Sequence, residues 1–150
     1  NINSLGYNYR LTDFQSALGI GQLLRYNEAL KIRKSNANYY KTLIDKINVD
    51  KIKSPLFTSG SSHFLFQTII KKEFRNSLSN HLKDLGIGHS IHYATPVNRL
   101  NYYTKKYPQQ SMLCENAKEY ADSVLSLPCH QNISFEDIDY IISQIEFFLK

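Results

Sequence analysis

Apolar positions recur at helical spacing through the first third of the chain, at Leu11, Phe14, Leu18, Leu23 or Leu24, Leu30, Tyr39 or Tyr40, Leu43 and Ile47. Thr12-x-x-Gln15, where this run begins, has the form of a capping box, so the pattern predicts a long helix starting there. Gly19 and Gly21 weaken its middle, which predicts a bend or two helices end to end. Ser54-Pro55 and Ser59-Gly60-Ser61-Ser62 read as loop or turn. From Phe64 to Ile70 the residues turn aromatic and β-branched, which predicts a strand. Asn76 to Leu85 predicts a short amphipathic helix with Gly86 as its left-handed stop, and Ile87 to Tyr93 a second strand. Arg99 to Lys106 and Glu115 to Val124 predict two further short helices. Ser134-x-x-Asp137 caps a last helix, with Ile138, Ile141, Ile142, Ile145, Phe148 and Leu149 on its buried stripe. The pattern as a whole predicts an α/β chain, a long helix leading into a small sheet covered by helices on one side.

Composition narrows the classes. A chain of 150 residues suits one domain with a modest core, or one part of a larger subunit. No segment approaches transmembrane length and no charged-then-apolar leader is present, so a cytoplasmic protein is expected, with no membrane partner. Cys114 and Cys129 make neither a disulfide framework nor a zinc set, which fits a reduced compartment and no metal site. Asn132-Ile133-Ser134 matches a glycosylation sequon, a pattern that arises often by chance. The net charge of +5 favours anionic ligands, but Lys and Arg are scattered rather than clustered, and nucleic acid is not an expected partner. The chain begins with asparagine and its only methionine is Met112, which predicts a piece of a longer chain.

Candidate chemistry concentrates at the front. In Gly6-Tyr7-Asn8-Tyr9-Arg10-Leu11-Thr12-Asp13 a polar, aromatic-rich loop meets a helix start, whose unpaired N–H donors suit an anion such as phosphate. The same composition also suits a plain solvated loop, and both readings stand on the residues alone.

The stretch Gly6 to Gly19 resembles the signature of the DegT/DnrJ/EryC1/StrS sugar aminotransferases. The likeness continues through Gln22-Leu23, Lys31-Ile32-Arg33-Lys34, Leu85 to Tyr93, Ser126-Leu127-Pro128-Cys129-His130 and the helix start at Ile133 to Asp137. That resemblance implies the C-terminal part of a pyridoxal 5'-phosphate (PLP)-dependent enzyme of fold type I, like aspartate aminotransferase. It divides the chain into an interface loop and connecting helix at 1–47 and a small α/β domain at 48–150, with the large PLP-binding domain lying outside it.

The resemblance also implies roles. Asn8 would reach across a twofold dimer interface and donate its amide to the cofactor phosphate of the neighbouring subunit; otherwise it forms an Asx-turn. Arg10 would contact an anionic substrate group or pair with a neighbouring carboxylate. His92 and Tyr93 match a His-Tyr pair beside the substrate pocket, where they would bond sugar hydroxyls or a diphosphate, or else pack a strand end against the long helix. Tyr102 and Tyr103 fall in a region that shapes the pocket rim, though tyrosines there also serve as packing. His130 is expected to be a turn residue, and His63 and His81 to lie on the surface or a helix face. Two positions depart from the family pattern: Asn98 stands where relatives commonly have a second histidine, and Phe64 where they often have histidine or tyrosine.

The resemblance further implies a lysine that forms a Schiff base with PLP and an aspartate paired with the pyridinium nitrogen, both upstream of Asn1. No residue of this chain is then expected to be catalytic, and the chain alone should catalyse nothing. The expected whole is a homodimer, joined through the Gly6–Arg10 loop and the leading helix. It would move an amino group from glutamate or glutamine to a nucleotide-linked keto-sugar. A sugar dehydratase of the same family, with histidine replacing that lysine, and a non-catalytic dimerisation remnant are the alternatives.

Overall fold

The computed structural model describes residues 6–7, 9–47, 50–58 and 60–150, apart from the side chains of 111 and 112. One continuous helix, α1 (Asp13–Lys46), opens it. Its first turn is closed by the expected capping box: Thr12 accepts from the Gln15 N–H, and the Gln15 side chain accepts from the Thr12 N–H. Neither a break nor a second helix follows. Gly19 and Gly21 stay helical although an added Cβ at either would meet nothing within 4 Å, so no packing demands a glycine there.

Helix α1 is exposed along most of its first half; its buried residues, Asn36, Ala37, Tyr40 and Ile44, all belong to the second. They cover a three-stranded antiparallel sheet of order β1-β2-β3, formed by β1 (Ile52–Lys53), β2 (Phe66–Ile70) and β3 (Val124–Leu127). In the register Phe66 pairs with Leu127 and Thr68 with Leu125. Between the strands run α2 (Lys72–Asp84), α3 (Asn101–Lys106) and α4 (Glu115–Ser123), and α5 (Phe135–Leu149) ends the chain. Gly86 stops α2 in the left-handed region at φ 71°, as its position predicts. Ser134 and Asp137 form the second capping box, at the start of α5.

The core joins Tyr40 of α1, Phe66 and Ile70 of β2, Leu78 and Leu82 of α2, Leu125 and Leu127 of β3, and the stripe Ile138, Ile141, Ile142, Ile145 and Leu149 of α5. Phe148, expected on that stripe, is only partly buried against it. Tyr40 stacks on Phe66 with ring centroids 4.8 Å apart.

Two strand expectations are corrected. Ile87 to Tyr93 is not a strand: it makes one isolated bridge, Ser90 to Ser126, before the chain turns at His92 and Tyr93. The outer strand is β3, in a stretch whose first residue the sequence pattern ends a helix on. All four of its residues are buried, so no polar alternation marks it as a strand.

Candidate functional site

The Ser90–Ser126 bridge organises the chemistry. The Ser90 N–H donates to the Ser126 carbonyl at 3.1 Å, and the Ser126 N–H returns a bond to Ser90 at 2.8 Å. This pairing sets both hydroxyls 3.1 Å from Nδ1 of His92. The Gln67 amide of β2 donates to the His92 carbonyl at 2.8 Å. An imidazole nitrogen carries either one proton or one lone pair, so Nδ1 either shares its proton between the two serines or accepts from one of them. Either way Nε2 keeps the opposite role and has no partner among the described residues.

The ring of Tyr93 stands edge-on to that of His92, 5.4 Å between centroids, and the peptide bond joining the two residues is cis. Both side chains line an open cavity of about 1030 Å³, together with Pro96, Val97, Leu100, Tyr103 and Tyr107, and with Ala117 and Tyr120 of α4. The cavity floor is fixed by polar bonds. Asn98 donates to the carbonyls of Leu113 at 2.8 Å and Gln110 at 3.3 Å, and Arg99 pairs with Glu115 at 2.6 Å. The Asn98 amide thus holds a short 3-10 segment (Pro108–Met112). Burial raises the pKa of the Tyr120 phenol, which stays a neutral hydroxyl. Aromatic walls with few polar groups suit a flat or carbon-rich part of a ligand, oriented by a few hydrogen bonds.

Not every expected residue comes to this wall. Tyr103 does; Tyr102 is largely exposed and outside it. Arg10 is exposed in the loop before α1, does not line the cavity with His92 and Tyr93, and makes no hydrogen bond or ion pair among the described residues. Asn8 lies outside the described residues. His130 is a turn residue whose Nδ1 accepts from the Asn132 N–H at 3.2 Å. His63 is a correction, since only 4% of it is exposed. It sits at φ 48° against Phe57, and its pKa is lowered by burial and by the charges of Lys34 and Arg33. Sequence reasoning also passed over Ser90 and Ser126. The first was findable, because residues two apart in an extended segment share a face and Ser90 precedes His92 by two. The second was not, because it depends on the unrecognised β3.

Among the described residues the cavity wall contains no lysine, arginine or carboxylate. It supplies no covalent anchor for PLP, no cation for its phosphate and no acid for its ring nitrogen, so these residues do not form a PLP site by themselves.

The architecture is that of the PLP-dependent aminotransferases. Helicobacter pylori PseC, an aminotransferase involved in the biosynthesis of pseudoaminic acid, superposes with a TM-score of 0.85 at 24% identity, over 99% of this chain and 40% of PseC. Spr1654 of Streptococcus pneumoniae, solved in a PLP form, superposes with a TM-score of 0.78 at 26% identity, over 99% of this chain and 38% of that one. In sequence, residues 1–146 match the model of the DegT/DnrJ/EryC1/StrS aminotransferase family, and the chain belongs to that family. A UDP-4-amino-4,6-dideoxy-N-acetyl-beta-L-altrosamine transaminase of Campylobacter jejuni is 33% identical over 143 residues, 91% of this chain and 36% of the relative. The chain thus spans between about a third and two fifths of the length of the proteins it matches.

Proposed function

We propose that this chain forms the C-terminal part of a PLP-dependent nucleotide-sugar aminotransferase, with residues 1–47 as interface loop and connecting helix and 48–150 as the small domain. The observation that carries the reading is the family match across residues 1–146, supported by 33% identity to a transaminase of a UDP-linked sugar. The overall reaction exchanges the amino group of glutamate or glutamine for the keto oxygen of the sugar, leaving the 2-oxo acid and an amino-sugar. PLP supplies the electron sink when bound, held mainly by residues outside this chain.

Within that reading the chain contributes binding groups. Asn8 donates to the cofactor phosphate of a second subunit. His92, steadied by Ser90 and Ser126, and Tyr93 present a ring nitrogen and a phenol to the sugar nucleotide, and Arg10 meets an anionic group at the interface. The exposed apolar residues of α1 and its approach, with Leu11, Phe14, Leu23 and Leu24 each more than 70% exposed, support a subunit or domain contact in the cytoplasmic homodimer.

The test is to express the longest reading frame that encodes the chain, supply PLP, and assay 2-oxoglutarate release from glutamate with a UDP-linked 4-keto-6-deoxy sugar. Release that depends on the sugar and on an upstream lysine supports the reading. A histidine at the lysine position with loss of a sugar hydroxyl would replace it with dehydratase chemistry, and a frame beginning close to Asn1 would leave an interface module. In the active protein, Asn8→Ala should weaken PLP binding by about 1–3 kcal/mol; an unchanged PLP dissociation constant removes Asn8 from the phosphate site.

A further inference from the structure

A second cavity, of about 500 Å³, is lined by both serines of the Ser90–Ser126 bridge and lies between α1 and the loop that follows β3. Its lining includes Arg33, Phe64, Ser90, Ser126 and His130, and no carboxylate. Arg33 carries its charge at every ordinary pH. Its Nε is buried without an acceptor, and its guanidinium makes no hydrogen bond or ion pair among the described residues; it lies over the Tyr26 ring at 5.9 Å, and its charge bears on His63 and Cys129. A buried guanidinium nitrogen with no acceptor is costly, and an anion's oxygen is an acceptor that would also balance its charge.

The walls around Arg33 are held in place. One turn along α1, the buried amide of Asn36 donates to the carbonyls of His130 at 3.1 Å and Ile133 at 3.3 Å. The Cys129 thiol donates to the Arg33 carbonyl at 3.6 Å. The His130 Nδ1 accepts from Asn132, which leaves the ring proton on Nε2 as a donor. Ser90 adds a hydroxyl. His89, at the cavity edge, is already committed through both ring nitrogens, to Ser79 and to the Ile87 carbonyl. The acid that bears on His130, Asp137, is occupied by the Ser134 N–H and hydroxyl.

We infer that this cavity is an oxyanion site: Arg33 binds a carboxylate or phosphate group of a small ligand through its guanidinium fork, and His130 Nε2 and the Ser90 hydroxyl are the supporting donors. Arg33 and His130, its two main donors, line no part of His92's cavity, and Ser90 is the one donor that the two sites share.

The probes are inorganic phosphate and L-glutamate, each titrated into the 15N-labelled protein at constant ionic strength held with sodium chloride. The expected result is saturable shifts of the amides at 33, 88–90 and 129–131 with one or both probes; the probe that saturates at lower concentration identifies phosphate or carboxylate as the source. Arg33→Gln should weaken that probe about tenfold or more, and Arg33→Lys, which keeps the charge and loses the fork, by less. His130→Gln reads the same site if Arg33→Gln fails to fold, and should weaken the probe a few-fold, about as expected for one lost donor. Shifts that never saturate, shifts spread over the lysine-bearing surface, or equal affinity in the variants would each overturn the site. So would a longer form of the protein in which Arg33 is paired with a carboxylate of its own chain.

Discussion

The side-chain amide of Asn36, 3% exposed in the second half of α1, donates to the backbone carbonyl of His130, 94 residues away in sequence. With its second bond to Ile133 it fastens the leading helix to the loop between β3 and α5. Asn36→Leu should therefore destabilise the protein by about 2–3 kcal/mol, because two carbonyls lose their donor in a setting that water does not easily reach. Urea unfolding with an unchanged slope checks it; a loss below about 0.5 kcal/mol would show that the loop is held by packing alone.

Tyr40 makes the opposite case. It is fully buried on Phe66, and its hydroxyl has no partner among the described residues. Burial, with Cys129 and Asp137 nearby, pushes its pKa far up, so the phenol is never charged. Tyr40→Phe should raise stability by about 1 kcal/mol, removing an unpaired polar atom while keeping the stacked ring. A loss of stability instead would mean that the hydroxyl has a partner, such as a bound water.

Acid should weaken the fold through His63. Its folded pKa lies below the ordinary 6.5 because burial and the charges of Lys34 and Arg33 disfavour the imidazolium. Between the folded and unfolded values the unfolded chain binds the extra proton and the folded chain does not. This contribution to stability is therefore complete above about pH 6.5 and is lost as pH falls through the folded value. His63→Gln, neutral throughout, should flatten that part of the stability curve between about pH 8 and 5. Superimposable curves for the two proteins would end the assignment.

The apolar residues of the two halves of the chain should respond differently. Ile145→Ala, at a fully buried position on α5, should cost about 2–5 kcal/mol by leaving a cavity. Leu24→Ser, at a position 82% exposed, should leave unfolding within about 0.5 kcal/mol and reduce self-association in sedimentation. Equal costs at the two sites would mean that α1 is covered in solution by the chain itself.

Much of this architecture was legible because its helices announce themselves locally. Thr12 with Gln15 and Ser134 with Asp137 mark two starts, Gly86 marks a stop, and the isoleucines of α5 recur at a period of 3.6. What stayed hidden depends on distant pairing. Val124–Leu127 is a strand because β2 lies beside it and both its faces are covered, which no local period records. The serine pair around His92 was hidden for the same reason. His63 was misplaced because its burial comes from Phe57 and the α1 cations, none of which a lone histidine between serines and phenylalanine reveals.

The exposed first half of α1 carries a consequence for dynamics. From Asp13 to Lys31 no residue is buried, about 30 Å of helix by its rise, with two glycines that each cost about 1 kcal/mol relative to alanine. A solvated helix of that length, anchored only at its C-terminal end, is close to its own melting point at ordinary temperature. Its amide hydrogens should therefore exchange with solvent far faster than those around Tyr40, with protection falling off toward Asp13. Whatever surface covers Leu18 and Leu24 then acts as a clamp that sets the helical content of this arm, so contact at one end of the chain is read out as order in the segment that carries Arg10 to it.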